Sequence, residues 1–269
     1  MWIAWNTAVE WAVALGVFVV VVRRATHPWV RATSTGAKEL AAVLLLYALW
    51  QYVDTLTFRQ VHGAETHGWW VWDIERWMHL PREQSVQHLV LPYPWVVQFF
   101  NGYYAIVHGP ALIITLVWLF TRHREHYPRI RNCVVIVTAL CLLIRLFPVA
   151  PPRLIDGLGF VDTGFLYHQS VYGNGANGIS SLLAAMPSVH VAWAAIVTLA
   201  VVTATTSKWR WLVVAHFVLT VLAVTVTANH WWLDGIVAVL LLWFAVVVQR
   251  LRPARVVPPP AVAVDQLVA

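Results

Sequence analysis

The chain has 269 residues, of which 60% are hydrophobic and 11% are charged, whereas soluble domains carry about 25% charged residues. This composition, with a mean hydropathy of +0.67, argues against a soluble enzyme. Two cysteines argue against a disulfide framework, and the net charge of +6 comes from short basic clusters rather than from a nucleic-acid-binding surface. We expect one integral-membrane domain over residues 1–252, with a core at about 38–250 and a disordered cytoplasmic tail over 253–269.

Seven apolar segments are long enough, or nearly so, to span a bilayer core of about 30 Å. They cover residues 3–22, 38–58, 95–120, 131–147, 189–206, 209–228 and 231–249. No basic region precedes the first segment, so we expect a retained spanning helix rather than a cleaved signal peptide. Most of the 18 Lys and Arg residues follow the first, third, fifth and last segments. The positive-inside rule makes that side cytoplasmic, with the N-terminus outside and the C-terminus inside.

The stretch from 69 to 94 is rich in tryptophan and histidine and is divided by Pro81. Its apolar residues Trp70, Ile74, Trp77 and Met78 recur at helical spacing, which predicts two short interfacial helices that cover the outer surface. The histidines of this region match no compact set of metal ligands, so we expect no metal. They are His62, His67, His79 and His88.

The third apolar segment carries a polar stripe, formed by Asn101, Tyr104 and His108 at i, i+3 and i+7. Polar groups in a spanning helix usually face the bundle interior. Two interpretations remain open: hydrogen bonds between helices, or a supporting role around a functional site. Asp54, near the outer end of the second segment, is placed to pair with Arg145 near the outer end of the fourth.

Two short runs each put a histidine at the start of an apolar segment. Residues 184–190 read Ala-Ala-Met-Pro-Ser-Val-His, and residues 229–234 read Asn-His-Trp-Trp-Leu-Asp. In the second run Asp234 follows His230 by four residues, which predicts the same helical face. A carboxylate there accepts the imidazole Nδ1–H and leaves Nε2 free to attack. In the first run we expect Pro187 and Ser188 at a helix N-terminus, whose N–H groups favour a phosphate.

Pro-Ser-x-His followed by His-x-x-x-Asp resembles the type 2 phosphatidic acid phosphatase superfamily. The form of residues 184–190, together with Pro-Val-Ala-Pro-Pro-Arg at 148–153, looks more like the branch that contains the inositol phosphorylceramide synthases. The likeness covers roughly residues 40–250. It implies an all-α polytopic membrane bundle of about seven transmembrane helices, with a six-helix core like that of the phosphatases.

The resemblance also implies roles for individual residues. His230 is the nucleophile that attacks phosphorus, and Asp234 orients it. His190 protonates the leaving alkoxide and then activates the incoming hydroxyl. Arg153, Arg145 and Ser188 bind the phosphate, and the chemistry needs neither a cofactor nor a metal.

The chain departs from the phosphatase pattern at its phosphate ligands. The usual Lys, six residues, then Arg-Pro is replaced by Arg145 and Arg153 eight residues apart, with Leu154 following. The arginine that usually lies six residues before the second histidine is Val224. These departures, which resemble the phosphotransferase branch, argue against simple hydrolysis of phosphatidate.

We therefore expect a lipid phosphatase or phosphotransferase with its site at the outer face of the plasma membrane. Its substrate is a lipid phosphate or a phospholipid head group, which reacts through a phosphohistidine intermediate, and an alcohol is the acceptor in the transfer reaction. The alternative is a transporter or scaffold that uses the His and Asp residues for proton relay or packing. The sequence shows no inverted repeat or pair of broken helices that would favour transport.

Overall fold

The computed structural model describes residues 3–57, 63–171 and 182–251. Within these ranges the chain forms α-helices joined by turns and has no β-strand. The helices are α1 (Trp5–Val21), α2 (Pro28–Thr57), α3 (Ala64–Trp77), α4 (Glu83–Val90), α5 (Pro94–Ile106), α6 (His108–Arg122), α7 (Tyr127–Ile144), α8 (Thr163–Leu166), α9 (Val189–Ala204), α10 (Leu212–Val226) and α11 (Trp232–Leu251). The predicted tail at 253–269 lies outside the described residues.

Four of the described helical segments are long and apolar enough to cross a membrane. They are Trp5–Arg24, Tyr127–Ile144, Lys208–Val226 and Trp232–Leu251. The pair α5 and α6 adds a fifth if it is one span, and α9 is apolar but shorter. The second predicted span lies inside α2, which is 30 residues long. The all-helical class is confirmed, whereas the count of seven spans stays a prediction.

The third predicted span is broken rather than continuous. Helices α5 and α6 meet at Val107 with a bend of 47°. Pro110 explains the break, because proline donates no hydrogen bond to the carbonyl four residues earlier and its ring clashes with that carbonyl. The bend places His108 at the first position of α6, where the chain changes direction inside the bundle.

Helix α9 lies at the centre of the bundle and packs against α6, α7, α10 and α11. Its alanines Ala192, Ala194 and Ala200 are fully buried, and such small side chains let neighbouring helices approach closely. Helix α1 instead packs along α2. The cytoplasmic end predicted for α2 is tied to α7 by Arg131, whose Nη1 lies 2.6 Å from Glu39 Oε1. Large apolar side chains remain exposed around the bundle, among them Val21, Ile114 and Trp243.

Helices α3 and α4 confirm the two short helices predicted on either side of Pro81, although α3 begins at Ala64 rather than at 69. The apolar residues Trp70 and Trp77 are exposed, by 58% and 78%. The polar side of these helices is buried instead, and Glu75, Glu83 and Gln87 all have 0% exposure. This orientation suits helices that present an apolar face to lipid and a polar face to protein.

Side chains of α3 and α4 hold the loop that follows α7. His67 Nδ1 lies 2.7 Å from the carbonyl oxygen of Pro148, and His88 Nε2 lies 3.1 Å from that of Gly159. Gln87 donates to the carbonyls of Val161 and Val226. His67 and His88 therefore hold this loop against α3 and α4 by hydrogen bonds. His62 lies outside the described residues, among which no group of three or more His, Cys, Asp or Glu side chains could hold a metal ion.

Candidate active site

His230 lies two residues before α11 and is held through its Nδ1 atom. Nδ1 lies 2.6 Å from the carbonyl oxygen of Ala185 and 3.3 Å from Asp234 Oδ2. Both partners are acceptors, so Nδ1 carries the proton and Nε2 presents its lone pair. The sequence pointed to the aspartate, but the nearer partner is a backbone carbonyl that no sequence motif reveals.

The expectation that His230 and Asp234 share one helical face is wrong, because His230 precedes the helix. Asp234 Oδ2 accepts the N–H of Trp231 at 2.8 Å, which turns the chain before the first helical residue. The same oxygen reaches His230 from inside the helix. The carboxylate is fully buried, so a hydrogen-bonded turn rather than helical periodicity brings the two side chains together.

Ala185 is positioned by a bridge between two loop segments. The N–H of Val149 donates to Leu183, and the N–H of Ala185 donates to Val149, at 2.9 and 3.1 Å. These bonds make an isolated parallel bridge between Val149 and Ala184. The Ala185 carbonyl is thereby fixed beside His230, since the segment before α9 cannot rotate freely.

His190 is the second residue of α9, and its Nδ1 lies 3.3 Å from His230 Nε2. Because Nε2 of His230 carries no proton in this tautomer, Nδ1–H of His190 is the donor. The ring of His190 also packs against Tyr104 and His108, with ring centres 4.3 and 4.0 Å away. Two members of the polar stripe therefore surround this histidine.

The third member of the stripe, Asn101, has a different role. Its amide nitrogen donates to the carbonyl of Thr163 at 3.0 Å, and its amide oxygen accepts from the Thr163 hydroxyl at 2.8 Å. A further bond joins the amide to Gln169. Asn101 thus ties α5 to the loop around α8 by hydrogen bonds.

A cavity of about 120 Å³ opens beside the two histidines. The residues that line it include His190, His230, Arg145, Asn229 and Trp50. The guanidinium of Arg145 lies over the Trp50 ring, 5.3 Å from its centre. Arg145 therefore shares a cavity with both histidines and brings a positive charge to it. The side chain of Asp54 is outside the described part, so the pairing of Asp54 with Arg145 stays a prediction.

Arg153 lines a second, smaller cavity, which shares Tyr104 and Asn229 with the first. Its side chain is 2% exposed, and Nε lies 3.2 Å from Asp162 Oδ2. The Arg153 N–H donates to the carbonyl of Ala228, at 3.2 Å. These contacts anchor Arg153 beside the segment that leads into His230.

Ser188 caps α9: its hydroxyl oxygen accepts the N–H of Val191 at 3.3 Å. The residue is fully buried. Pro187 lies at this N-terminus as expected, but it immediately precedes the cap rather than standing inside the first helical turn. The hydroxyl is an N-cap in the described geometry, and its contact with a phosphate stays a prediction.

Sequence reasoning missed two buried glutamates that contact the first turn of α11. Glu83 Oε1 accepts the N–H of Trp232 at 3.0 Å, and Glu75 Oε1 accepts the N–H of Leu233 at 2.8 Å. One signal was available, because Glu75 falls away from the apolar face of α3. An interfacial helix whose apolar face meets lipid must turn its other face towards the protein.

A model of the PAP2 superfamily matches residues 69–263, which is most of the chain. The chain therefore belongs to the PAP2 superfamily, whose members are generally phosphatases and phosphotransferases. The match covers both histidine runs and both arginines, and begins after α1 and α2. No curated protein and no solved structure matches the chain.

Proposed function

We propose that the protein transfers a phosphoryl group or phospho-head group from a membrane lipid, through a covalent intermediate on His230. The observation that carries this proposal is the pairing of His230 Nε2 and His190 Nδ1 at 3.3 Å, beside a cavity that Arg145 also lines. A nucleophile with a fixed tautomer, an adjacent acid–base group and a cation are the three groups that phosphoryl transfer requires.

In the first step His230 Nε2 attacks phosphorus and the bond to the leaving oxygen breaks. His190, protonated at this stage, gives its proton to that oxygen, so the lipid leaves as an alcohol. The Nδ1–H of His230 stays hydrogen-bonded to Ala185 and Asp234, which stabilises the positive ring that forms. Substrate binding must first replace the bond between the two histidines.

In the second step His190, now neutral, removes a proton from the acceptor hydroxyl. The acceptor oxygen attacks phosphorus, the P–N bond breaks, and His230 regains its lone pair. Water as acceptor gives hydrolysis, whereas an alcohol gives transfer. The altered arginine spacing and Val224 favour transfer, as in the branch with inositol phosphorylceramide synthases.

The two arginines take different parts in this mechanism. Arg145 lines the cavity with both histidines and binds the phosphate oxygens, whose charge grows in the transition state. Arg153 is fixed by Asp162 at 3.2 Å and borders the adjoining cavity through Tyr104 and Asn229. It binds the phosphate from the side of the loop, together with the N-terminus of α9.

The decisive experiment incubates the purified protein with a panel of lipid phosphates and phospholipids, with and without alcohol acceptors. Released phosphate or phospho-head group identifies hydrolysis, and a new phospholipid that contains the added alcohol identifies transfer. Loss of both activities in His230→Ala is expected. Products that form equally in this variant would reject the mechanism, and a wild-type protein that forms no product would favour the alternative of a transporter or scaffold.

We further propose that the site faces outward at the plasma membrane, because the basic residues follow alternate predicted spans. Phe165, in α8 on the same side as the site, is 79% exposed, and the Glu125 side chain, between α6 and α7, is 68% exposed. Phe165→Cys should react with an impermeant thiol reagent in intact cells, and Glu125→Cys should not. The native cysteines are both buried, so the background is low. The reverse labelling would contradict the orientation.

A further inference from the structure

Two glutamates beneath the first turn of α11 form a pair to which the mechanism gives no role. Glu75 comes from α3 and Glu83 from α4, and both are fully buried. Each accepts one backbone N–H, from Leu233 and Trp232 respectively. A helix leaves its first N–H groups without intrahelical partners. The two carboxyl groups therefore complete the N-terminus of the helix that follows His230.

The Oε2 atoms of Glu75 and Glu83 take no part in these bonds to α11. Both Oε2 atoms lie beside the same nitrogen, Arg76 Nη2, so the two carboxyl groups are close neighbours. An ionised carboxylate only accepts hydrogen bonds, so two neighbouring carboxyl groups can bond to each other only if one of them carries a proton. Neither Oε2 atom has a hydrogen-bond partner among the described residues, and a proton shared between them would satisfy both.

The charges around the pair also require a proton. Arg76 Nη2 lies 3.7 Å from Glu75 Oε2 and 3.6 Å from Glu83 Oε2. Asp234 of α11 adds a third buried carboxylate. If both glutamates were ionised, two buried carboxylates would share one guanidinium close to the third carboxylate of Asp234, which is strongly unfavourable. Burial and the neighbouring Glu83 raise the pKa of Glu75 to about 9, in agreement with one retained proton.

We propose that Glu75 and Glu83 share one proton and clamp the first turn of α11, and so act as positioning residues for His230 and Asp234. The clamp fixes Trp232 and Leu233, while Asp234 holds both Trp231 and His230 from the same turn. Loss of the shared proton at alkaline pH forces two carboxylates apart and shifts this turn. The positioning role rests on the proposed function, whereas the shared proton does not.

The first test measures turnover of a lipid phosphate against pH in wild type, Glu75→Gln and Glu75→Ala. Glutamine keeps an acceptor for Leu233 and a donor for Glu83, but it cannot lose a proton. Glu75→Gln should therefore match wild type near neutrality and remain active at higher pH than wild type. Glu75→Ala should lose roughly 10²-fold in kcat, since small displacements of reacting groups cost that much, with KM little changed. Glu65→Gln, at an exposed position of α3, is the control and should follow wild type.

The second test needs no activity. An acid whose pKa rises from 4.5 to about 9 on folding holds its proton in the folded state and loses it on unfolding. Stability should therefore fall as pH rises through that interval. Thermal unfolding of wild type in detergent should show this fall, and Glu75→Gln should flatten it. Infrared spectra at neutral pH should contain a protonated carboxyl band that is weaker in Glu75→Gln.

The outcomes separate the two proposals. An identical carboxyl band in wild type and Glu75→Gln would reject the shared proton. A Glu75→Gln variant as inactive as Glu75→Ala would reject the positioning role. So would a Glu75→Gln variant whose turnover falls at the same alkaline pH as that of wild type. A wild-type protein that turns over no phosphate ester would contradict the proposed function and the positioning role, while the band and the unfolding curves would still decide the shared proton.

Discussion

The two histidines of the site lie at the N-termini of two helices. The side chains that accept the first backbone N–H groups differ in charge between these two helices. Before α11, three carboxyl groups take three successive N–H groups, those of residues 231–233. At α9 the cap is the neutral hydroxyl of Ser188, which takes the N–H of Val191. One terminus is therefore surrounded by negative charge, and the other is not.

This difference matches the different demands on the two residues. In the proposed mechanism the carboxyl groups at α11 would repel a phosphate, whereas the N-terminus of α9, where Val189 and His190 line the cavity, would favour it. His230 is held by hydrogen bonds on one ring nitrogen, which suits a nucleophile of fixed tautomer. His190 packs against Tyr104 and His108. That environment suits a residue that must gain and lose a proton within one cycle.

The largest expected effect comes from removing the fixed histidine. His230→Ala should abolish the covalent adduct and lower kcat by about 10⁴- to 10⁶-fold, the loss typical of a missing nucleophile. Quenching at high pH, where phosphohistidine survives, followed by peptide mass analysis would locate the adduct in wild type. His88→Ala is a suitable control, because that exposed histidine is hydrogen-bonded to the loop carbonyl of Gly159 and does not line the cavity beside His230. An adduct on His190 would make His190 the nucleophile and His230 the acid–base group, which would contradict the roles assigned to the two helix N-termini.

Removing the other histidine should divide the reaction into its two steps. His190→Ala should lower turnover of a natural lipid by roughly 10²- to 10⁴-fold, the usual contribution of an acid–base group. A substrate with a very good leaving group needs little help from an acid, so the adduct should still form and then decay slowly. Stopped-flow measurement of leaving-group release would detect this burst. Failure to form the adduct even with such a substrate would mean that His190 also prepares the nucleophile.

Much of this arrangement could be predicted from local sequence patterns. The order of the helices, the two short helices around Pro81 and the pairing of His230 with Asp234 follow from hydropathy and from two short runs. Those features depend on residues that are close together in the chain. The break at Val107 was also signalled, by Gly109 and Pro110, but the apolar character of the segment concealed it.

The rest depends on contacts between distant residues. The carbonyl of Ala185 reaches His230 from 45 positions away, and a carbonyl has no sequence signature. Glu75 is 158 residues from Leu233, so only the folded chain reveals that the polar face of α3 supports α11. The groups missed in this way contact His230 or the first turn of α11 from distant parts of the chain, whereas the side chains predicted to react carry recognisable motifs.

A smaller effect should follow from Asp234→Asn, because two acceptors hold the same proton of His230. In sites where a carboxylate alone orients the histidine, its loss costs about 10⁴-fold in kcat. Here the Ala185 carbonyl lies nearer, at 2.6 Å against 3.3 Å for Asp234. We expect a loss of roughly 10- to 100-fold in both formation and decay of the adduct. A loss as large as that in His230→Ala would show that the backbone carbonyl does not fix the tautomer.

The smallest effect tests the neutral cap of α9. If Ser188 serves only as the N-cap, Ser188→Ala should lower the free energy of unfolding by about 0.5–2 kcal/mol, and Ser188→Gly by only a few tenths of a kcal/mol. Neither variant should then change KM. If its hydroxyl also binds the phosphate, both variants should raise KM by similar factors, since both lack the hydroxyl. Ser207→Ala removes a comparable cap, on the N–H of Trp209 at 3.3 Å, and is the matched control for stability.

Because Ser188 is fully buried and already bonded to Val191, we expect a loss of stability with KM unchanged. A parallel rise in KM for both variants would assign Ser188 to the phosphate, so that the two helix termini would differ in ligand as well as in charge.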